Sequence, residues 1–244
     1  MNLHAALTSL HESCRLFAVA LLITLLALSF WLTQRQEARQ QSARLQQHRQ
    51  VAQRCLDLLQ ALQLHRGLGA MQGAGNLEQR TRVARQLDSL WLNWPGASLQ
   101  LPALQQDWPQ LRRKPGDFDA HCRLIEALLA VIEQLEDRLY RHDQPAIRGL
   151  GEACRSLEDL SRLRGLAVRA ASYERCPPGL QMQLRFLCER LLSQKQAPPL
   201  QALIERLQTE LIESSQVQLS PDDCFALLTP LIEQRLQGIR LGLD

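Results

Sequence analysis

The sequence predicts an all-α protein, with one N-terminal transmembrane helix followed by a helical bundle, or two stacked bundles, of about seven helices. Three observations predict it. Leu, Ala, Gln, Arg and Glu fill most positions while aromatic residues make up 5% of the chain, which is the usage of helices rather than sheets. An eighteen-residue run without a charge lies near the N-terminus. Beyond it, prolines separate segments whose apolar residues recur every three or four positions, and no segment alternates with a period of two for long enough to make a strand.

Residues 1–15 form a short tail. From Leu16 to Thr33 (LFAVALLITLLALSFWLT) a helix would rise about 27 Å, close to the roughly 30 Å of hydrocarbon in a bilayer. Arg15 bounds one end, and Trp31 with Arg35 the other, so an interfacial aromatic and a charge stand where membrane helices place them. A cleaved signal peptide is the alternative, with Ala27-Leu28-Ser29 as its cleavage site, but one arginine makes a weak n-region.

No proline occurs from 34 to 75, so one long helix should leave the membrane, its part from 34 to 57 serving as a stem. Ala38, Leu45, Ala52 and Leu59 fall at seven-residue intervals, a seam that could pair two copies into a homodimer. Gln41, His48 and Cys55 in the intervening positions suit a plain amphipathic helix better. The sensor-like domain proper is expected over 58–244. After the stem, a helix over about 77–92 ends at Pro95-Gly96, and Pro102, Pro109 and Pro115 make 93–117 a connecting loop. Its Trp91, Trp94 and Trp108 would pin the loop to the bundle; the alternative is that they flank a ligand. Phe118 to Arg141 carries a clean apolar stripe, and Gln144 to Glu174 another, with Pro145 near its first turn. Helices over about 179–195, 198–217 and 222–240 follow, divided by Pro177-Pro178, Pro198-Pro199 and Pro221.

Charge and motif content exclude several functions. The net charge of +3 forms no basic stripe with interleaved aromatics, so no nucleic-acid partner is expected. Seven widely spaced cysteines include no Cys-x-x-Cys, and His4, His11, His48, His65, His121 and His142 share no ligand spacing, so neither a metal nor a cofactor is expected. The cysteines are instead expected to be small core residues. Without a nucleophile elbow, P-loop or paired-carboxylate motif, the chain is not expected to be an enzyme. Only Lys114 and Lys195 are lysines among 28 basic residues, so most cations are guanidinium forks able to hold oxyanions bidentately, although a codon bias toward arginine explains the count equally well.

One internal similarity stands out, between LLQALQLHRGLGAMQGA at 58–74 and SLEDLSRLRGLAVRAAS at 156–172. Arg66, Gly67 and Leu68 correspond to Arg164, Gly165 and Leu166. On a helix, Arg66 shares a face with Gly69, Ala70 and Gly73, and Arg164 with Ala167, Val168 and Ala171. Interior glycines cost a helix about 1 kcal/mol each, so Gly67, Gly69 and Gly73 suggest that a helix or ligand comes close. Two such faces opposed would aim two guanidiniums into one space, where they repel unless an anion lies between them. His65, about 100° round the helix from Arg66, is expected at the rim; the alternative is that it is a further donor to the anion. The alternative is that both arginines reach solvent or pair with carboxylates such as Glu152 or Glu158 while the small residues only permit tight packing.

HRGLGA at 65–70 and LRGLAV at 163–168 resemble the Arg-Gly motifs of the nitrate- and nitrite-sensing (NIT) domain family of bacterial regulators. That resemblance implies an all-helical bundle which binds nitrate or nitrite through Arg66 and Arg164 on facing helices. No output module follows before Asp244, so a signal is expected to pass to a partner protein, or back through the membrane helix to the tail. Positive-inside counting sets Arg15 against Arg35, Arg39, Arg44 and Arg49, which leans the domain to the cytoplasmic face of a bacterial inner membrane, while the usual plan of bacterial sensors argues for the other face. The competing expectation is a membrane-anchored scaffold or assembly factor that binds a partner protein and no small ligand.

Overall fold

The structure, a computed structural model, describes residues 3–71, 76–92, 94–95, 99–140, 147–193 and 198–243, and the side chains of these from residue 24 onward except that of residue 27. Among the described residues the regular structure is all helix, with no strand. In chain order the helices are α1 (Leu3–Ala70), α2 (Leu77–Leu92), α3 (Trp108–Arg113), α4 (Phe118–Tyr140), α5 (Leu150–Ala170), α6 (Pro178–Ser193), α7 (Pro198–Leu207) and α8 (Pro221–Leu241).

The segments expected as a membrane helix and a stem are one element, α1, because nothing between Leu3 and Arg66 interrupts a helix: there is no proline and no glycine. Among the described residues no helix is long and apolar enough to cross a membrane. Much of the apolar run from Leu16 to Thr33 lies outside that description, since the side chains of 16–23 and 27 are not part of it. The chain divides into two compact units, Met1–Gln47 and His48–Asp244. In the second unit burial along α1 begins at Val51, Ala52, Cys55 and Leu56, so the last turns of the expected stem are core.

Helix α5 is the centre of the second unit, and it packs against α8, α6 and α4. Leu157, Leu160, Leu163 and Leu166 are buried along it, and so are Glu158, Ser161 and Arg164, which a helix with one wet face would have left in water. It starts later than 144, at Leu150; Pro145 lies outside the described residues. Gly149, at φ +88°, turns the chain in, and no side chain of its own caps the helix. Glu136 of α4 takes that place, accepting from the Gly149 amide at 2.5 Å and the Gly151 amide at 2.7 Å, a carboxylate where the helix dipole favours one.

The stretch expected as a loop over 93–117 holds a 3₁₀ turn at Leu104–Gln106 and the short α3, whose Pro109 sits in the first turn, where a missing amide costs nothing. Trp108 pins it to α2, its Nε1 donating to Asp88, while Trp94 Nε1 donates within the stretch to the Pro102 carbonyl. Helix α7 runs on through a π turn, Gln208–Ile212, and α8 opens with a capping box between Ser220 and Asp223. The six described cysteines are all buried and unbridged, and burial raises their thiols, as at Cys55 and Cys154, each pushed up to about 12.

The glycines divide by what faces them. A Cβ on Gly69 would overlap the Pro115 carbonyl, a backbone atom that cannot swing away, whereas one on Gly238 in α8 meets nothing within 4 Å. Gly69→Ala is therefore expected to lower stability by about 1–3 kcal/mol as an overpacking change. Gly238→Ala should raise it by up to about 1 kcal/mol through helix propensity. Urea unfolding of the two variants beside the parent checks both signs.

Candidate functional site

Polar side chains recur every three residues on the facing sides of two helices: Gln63 and Arg66 on α1, and Glu158, Ser161 and Arg164 on α5. Arg66 is 1% exposed, and its fork meets the Glu158 carboxylate bidentately, at 2.5 Å to Oε1 and 3.0 Å to Oε2. Gln63 Nε2 donates to Glu158 Oε2 at 3.0 Å, and Arg66 also reaches Ser161 Oγ and the Cys122 sulfur, both at 3.3 Å. The Phe118 ring of α4 lies 5.2 Å from the guanidinium carbon.

Arg164, 2% exposed, reaches the same region from the other side. It donates to the Gln63 carbonyl at 3.0 Å and to Thr229 Oγ1 of α8 at 3.1 Å, with its guanidinium carbon 4.6 Å from the centre of the Phe225 ring. Thr229 is held in turn, donating to the Phe225 carbonyl at 2.7 Å just before Pro230. The Nε atoms of Arg66 and Arg164 are buried with no hydrogen-bond partner among the described residues, as is Gln63 Oε1.

The two arginines differ electrostatically. Burial pulls Arg66 down, but the Glu158 charge and hydrogen bond outweigh it and hold Arg66 above its ordinary value. Arg164 is lowered to about 10, first by burial and then by the positive charge of Arg66, only partly offset by Glu158 and Glu233. Two buried guanidiniums share one buried carboxylate, and the exposed Glu233 offsets the excess positive charge only in part.

Arg66 and Arg164 thus occupy one space between α1 and α5, each acting on the other. The glycines have a different part from the one expected. The bare backbone of Gly67 admits Arg164 itself, whose Nε and one terminal nitrogen lie 3.3 Å from where a Cβ would stand, together with Phe225 at 3.1 Å. Gly69 admits the Pro115 carbonyl, and Gly165 admits the Phe118 ring, 2.6 Å from its Cβ position. Protein groups fill all three approaches: Arg164 and a ring of α8 at Gly67, the Pro115 backbone at Gly69 and a ring of α4 at Gly165.

His65 is not a rim residue. It is 1% exposed, its Nδ1 lies 2.8 Å from His121 Nε2, and its ring meets Trp108 edge-on. Burial and then the charge of its neighbours lower it to about 3, and burial lowers His121 to about 4, so neither supplies a cation to an anion at neutral pH. The roles of Gln63, Ser161, Thr229 and the Phe118 and Phe225 rings were not foreseen. Their sequence signal is weak; only the polar residues at 158, 161 and 164 on an otherwise apolar helix hinted at a buried network.

Of the cluster, Glu158 borders a cleft of about 240 Å³, together with Arg155, Asp159, Arg162 and Arg190. Arg190 pairs with Asp159 there, and Arg155 with Glu133 and Glu126. Among the described residues no group of His, Cys, Asp and Glu could hold a metal ion. Comparison of the chain with protein-family models, with curated proteins and with solved structures finds no match.

Proposed function

We propose that the chain is a membrane-anchored sensor that binds a small oxyanion, nitrate or nitrite, between α1 and α5 and signals through a partner protein. The observation that carries this is Arg164: a buried guanidinium with no ion pair among the described residues, beside an arginine that has one. A monovalent planar anion would cancel the excess charge and take the unpartnered Nε hydrogens. It would also compete with Glu158 for the Arg66 fork, and Glu158 has the cleft to turn toward. Binding then favours an arrangement in which α1 and α5 are held by the anion instead of by Glu158, the differential affinity a sensor requires.

The anchor would be the helix over 16–33. In its described part Leu25, Leu26, Leu28, Phe30, Trp31 and Leu32 are all more than half exposed, apolar surface that no core covers. Flanking arginines lean the bundle to the cytoplasmic side of a bacterial inner membrane.

One observation favours a second reading, a membrane-anchored scaffold that binds a partner protein and no small ligand. The Arg66 fork is already satisfied and protein groups fill the glycine faces, as a packing device would require, while Met182 and Phe186 stand exposed one turn apart on α6. Calorimetry on the full chain in detergent, with nitrate, nitrite, chloride and sulfate, separates the two. Selective binding of the nitrogen oxyanions is expected, and Arg164→Lys, which keeps the charge and loses the fork, should weaken it at least about tenfold, or 1.4 kcal/mol. If no anion binds selectively, and one partner is captured in constant stoichiometry whatever the anion, the scaffold replaces the sensor.

A further inference from the structure

A second cluster of arginines lies away from the buried pair, around a cavity of about 380 Å³ walled by α1, α2 and α3. Arg80 and Thr81 of α2, Arg112 and Arg113 of α3, and His65 of α1 line it, with no carboxylate among the described residues of the lining. Arg112 is paired, at 3.0 Å, with Asp88, which also accepts from Trp108. Arg80 and Arg113 have no ion pair among the described residues, so the cavity has two uncompensated guanidiniums and the size of a small-ligand pocket.

What sets this cavity apart from a merely basic hollow is the tautomer of His65. His121 Nδ1 lies 2.6 Å from the Asp117 carbonyl, which can only accept, so the proton of neutral His121 is on Nδ1 and its Nε2 is an acceptor. His65 Nδ1, 2.8 Å from that Nε2, must then donate, which leaves His65 Nε2 as a lone pair without a proton. His65 lines the cavity, and its unprotonated Nε2 is the acceptor that this ring can offer beside the guanidinium donors. Such a set suits an anion that still carries a hydrogen.

We infer that this cavity is a binding site for a phosphate group bearing a P–OH, its oxygens held by Arg80 and Arg113 and its hydroxyl donated to His65 Nε2. Nitrate and sulfate have no proton at neutral pH and meet the His65 lone pair with an oxygen lone pair. The inference uses none of Arg66, Glu158 or Arg164 and stands apart from the nitrate reading.

The test is calorimetry on the full chain in detergent with inorganic phosphate, glycerol phosphate and sulfate at equal ionic strength, and on the chain in nanodiscs with and without phosphatidic acid. Binding of phosphate or glycerol phosphate at least tenfold tighter than sulfate, abolished by Arg80→Ala/Arg113→Ala and retained in Arg164→Lys, is the expected result and assigns a soluble ligand. Phosphatidic acid occupying the site, with the same dependence on Arg80 and Arg113, supports the same phosphate chemistry with a lipid as its source. Sulfate binding as tightly as phosphate, binding unchanged in the double variant, or no binding in either medium overturns the inference.

Discussion

Glu158→Gln is expected to destabilise the protein by about 3–5 kcal/mol, the loss typical of removing one partner from a buried ion pair. The substitution keeps the shape of the side chain and leaves Arg66 and Arg164 facing each other in the interior with no negative charge between them. An exposed pair gives the contrast. Arg240 lies 2.6 Å from Asp57 with both side chains nearly half exposed, so Asp57→Asn should change stability by no more than about 1 kcal/mol. Urea unfolding followed by circular dichroism measures both. An anion that can sit between two guanidiniums should restore part of what Glu158→Gln removes, so unfolding in nitrate against perchlorate at equal ionic strength tests the site through stability alone. If Glu158→Gln costs no more than Asp57→Asn, the buried cluster is not under the electrostatic load described.

Features that depend on local chemistry were legible before the structure. Prolines 177, 178, 198, 199 and 221 mark the starts of α6, α7 and α8, because a proline both ends one helix and suits the first turn of the next. The repeated Arg-Gly-Leu faces pointed to α1 and α5 as neighbours, and Arg66 and Arg164 do meet between them. What was not legible comes from elsewhere in the chain. Glycines at 67, 69 and 165 signal that something approaches, but not whether it is a ligand, the Pro115 carbonyl or the Phe118 ring. Nothing near Arg164 announces Thr229 or Phe225, which α8 brings from the far end of the chain. Helix α3 was hidden because Trp108-Pro109 looks like loop punctuation unless the proline falls in a first turn, as it does.

The division of charge between Arg66 and Arg164 is likewise a property of the assembled bundle. Both sit in Leu-Arg or His-Arg steps before Gly-Leu, and either could have taken the carboxylate. Glu158 lies six residues before Arg164 on the same helix, which is not the three- or four-residue spacing of helix neighbours. Arg66, presented from α1, receives the bidentate contact, and Arg164 is left with neutral acceptors, the Gln63 carbonyl and the Thr229 hydroxyl.

Stability should also fall by about 3–4 kcal/mol between pH 7 and pH 5 because of His65 and His121 alone. Both rings are buried, and their folded values of about 3 and about 4 lie well below the ordinary 6.5. As the pH drops below 6.5 the unfolded chain takes up two protons that the folded protein refuses, so the unfolded state gains; above 6.5 both states are neutral and the full stability is present. Burial is the main cause at both rings: at His65 the charges of His121 and Arg80 add to it, while at His121 the Asp117 carbonyl and carboxylate oppose it more strongly than Arg66 supports it, and burial still prevails. Protonating His121 at Nε2 would also break its contact with His65 Nδ1, since both nitrogens would then carry hydrogens. Carboxylates titrate mostly below pH 5, so the chosen interval isolates the histidines. Urea midpoints at pH 7, 6 and 5 give the slope, and the His65→Gln/His121→Asn variant, which keeps hydrogen-bonding side chains that do not titrate, should flatten it even if its stability at pH 7 is lower. A parent protein whose stability is level or rises from pH 7 to pH 5 would show that the pair is charged in the fold, and the lone pair assigned to His65 Nε2 would be lost with it.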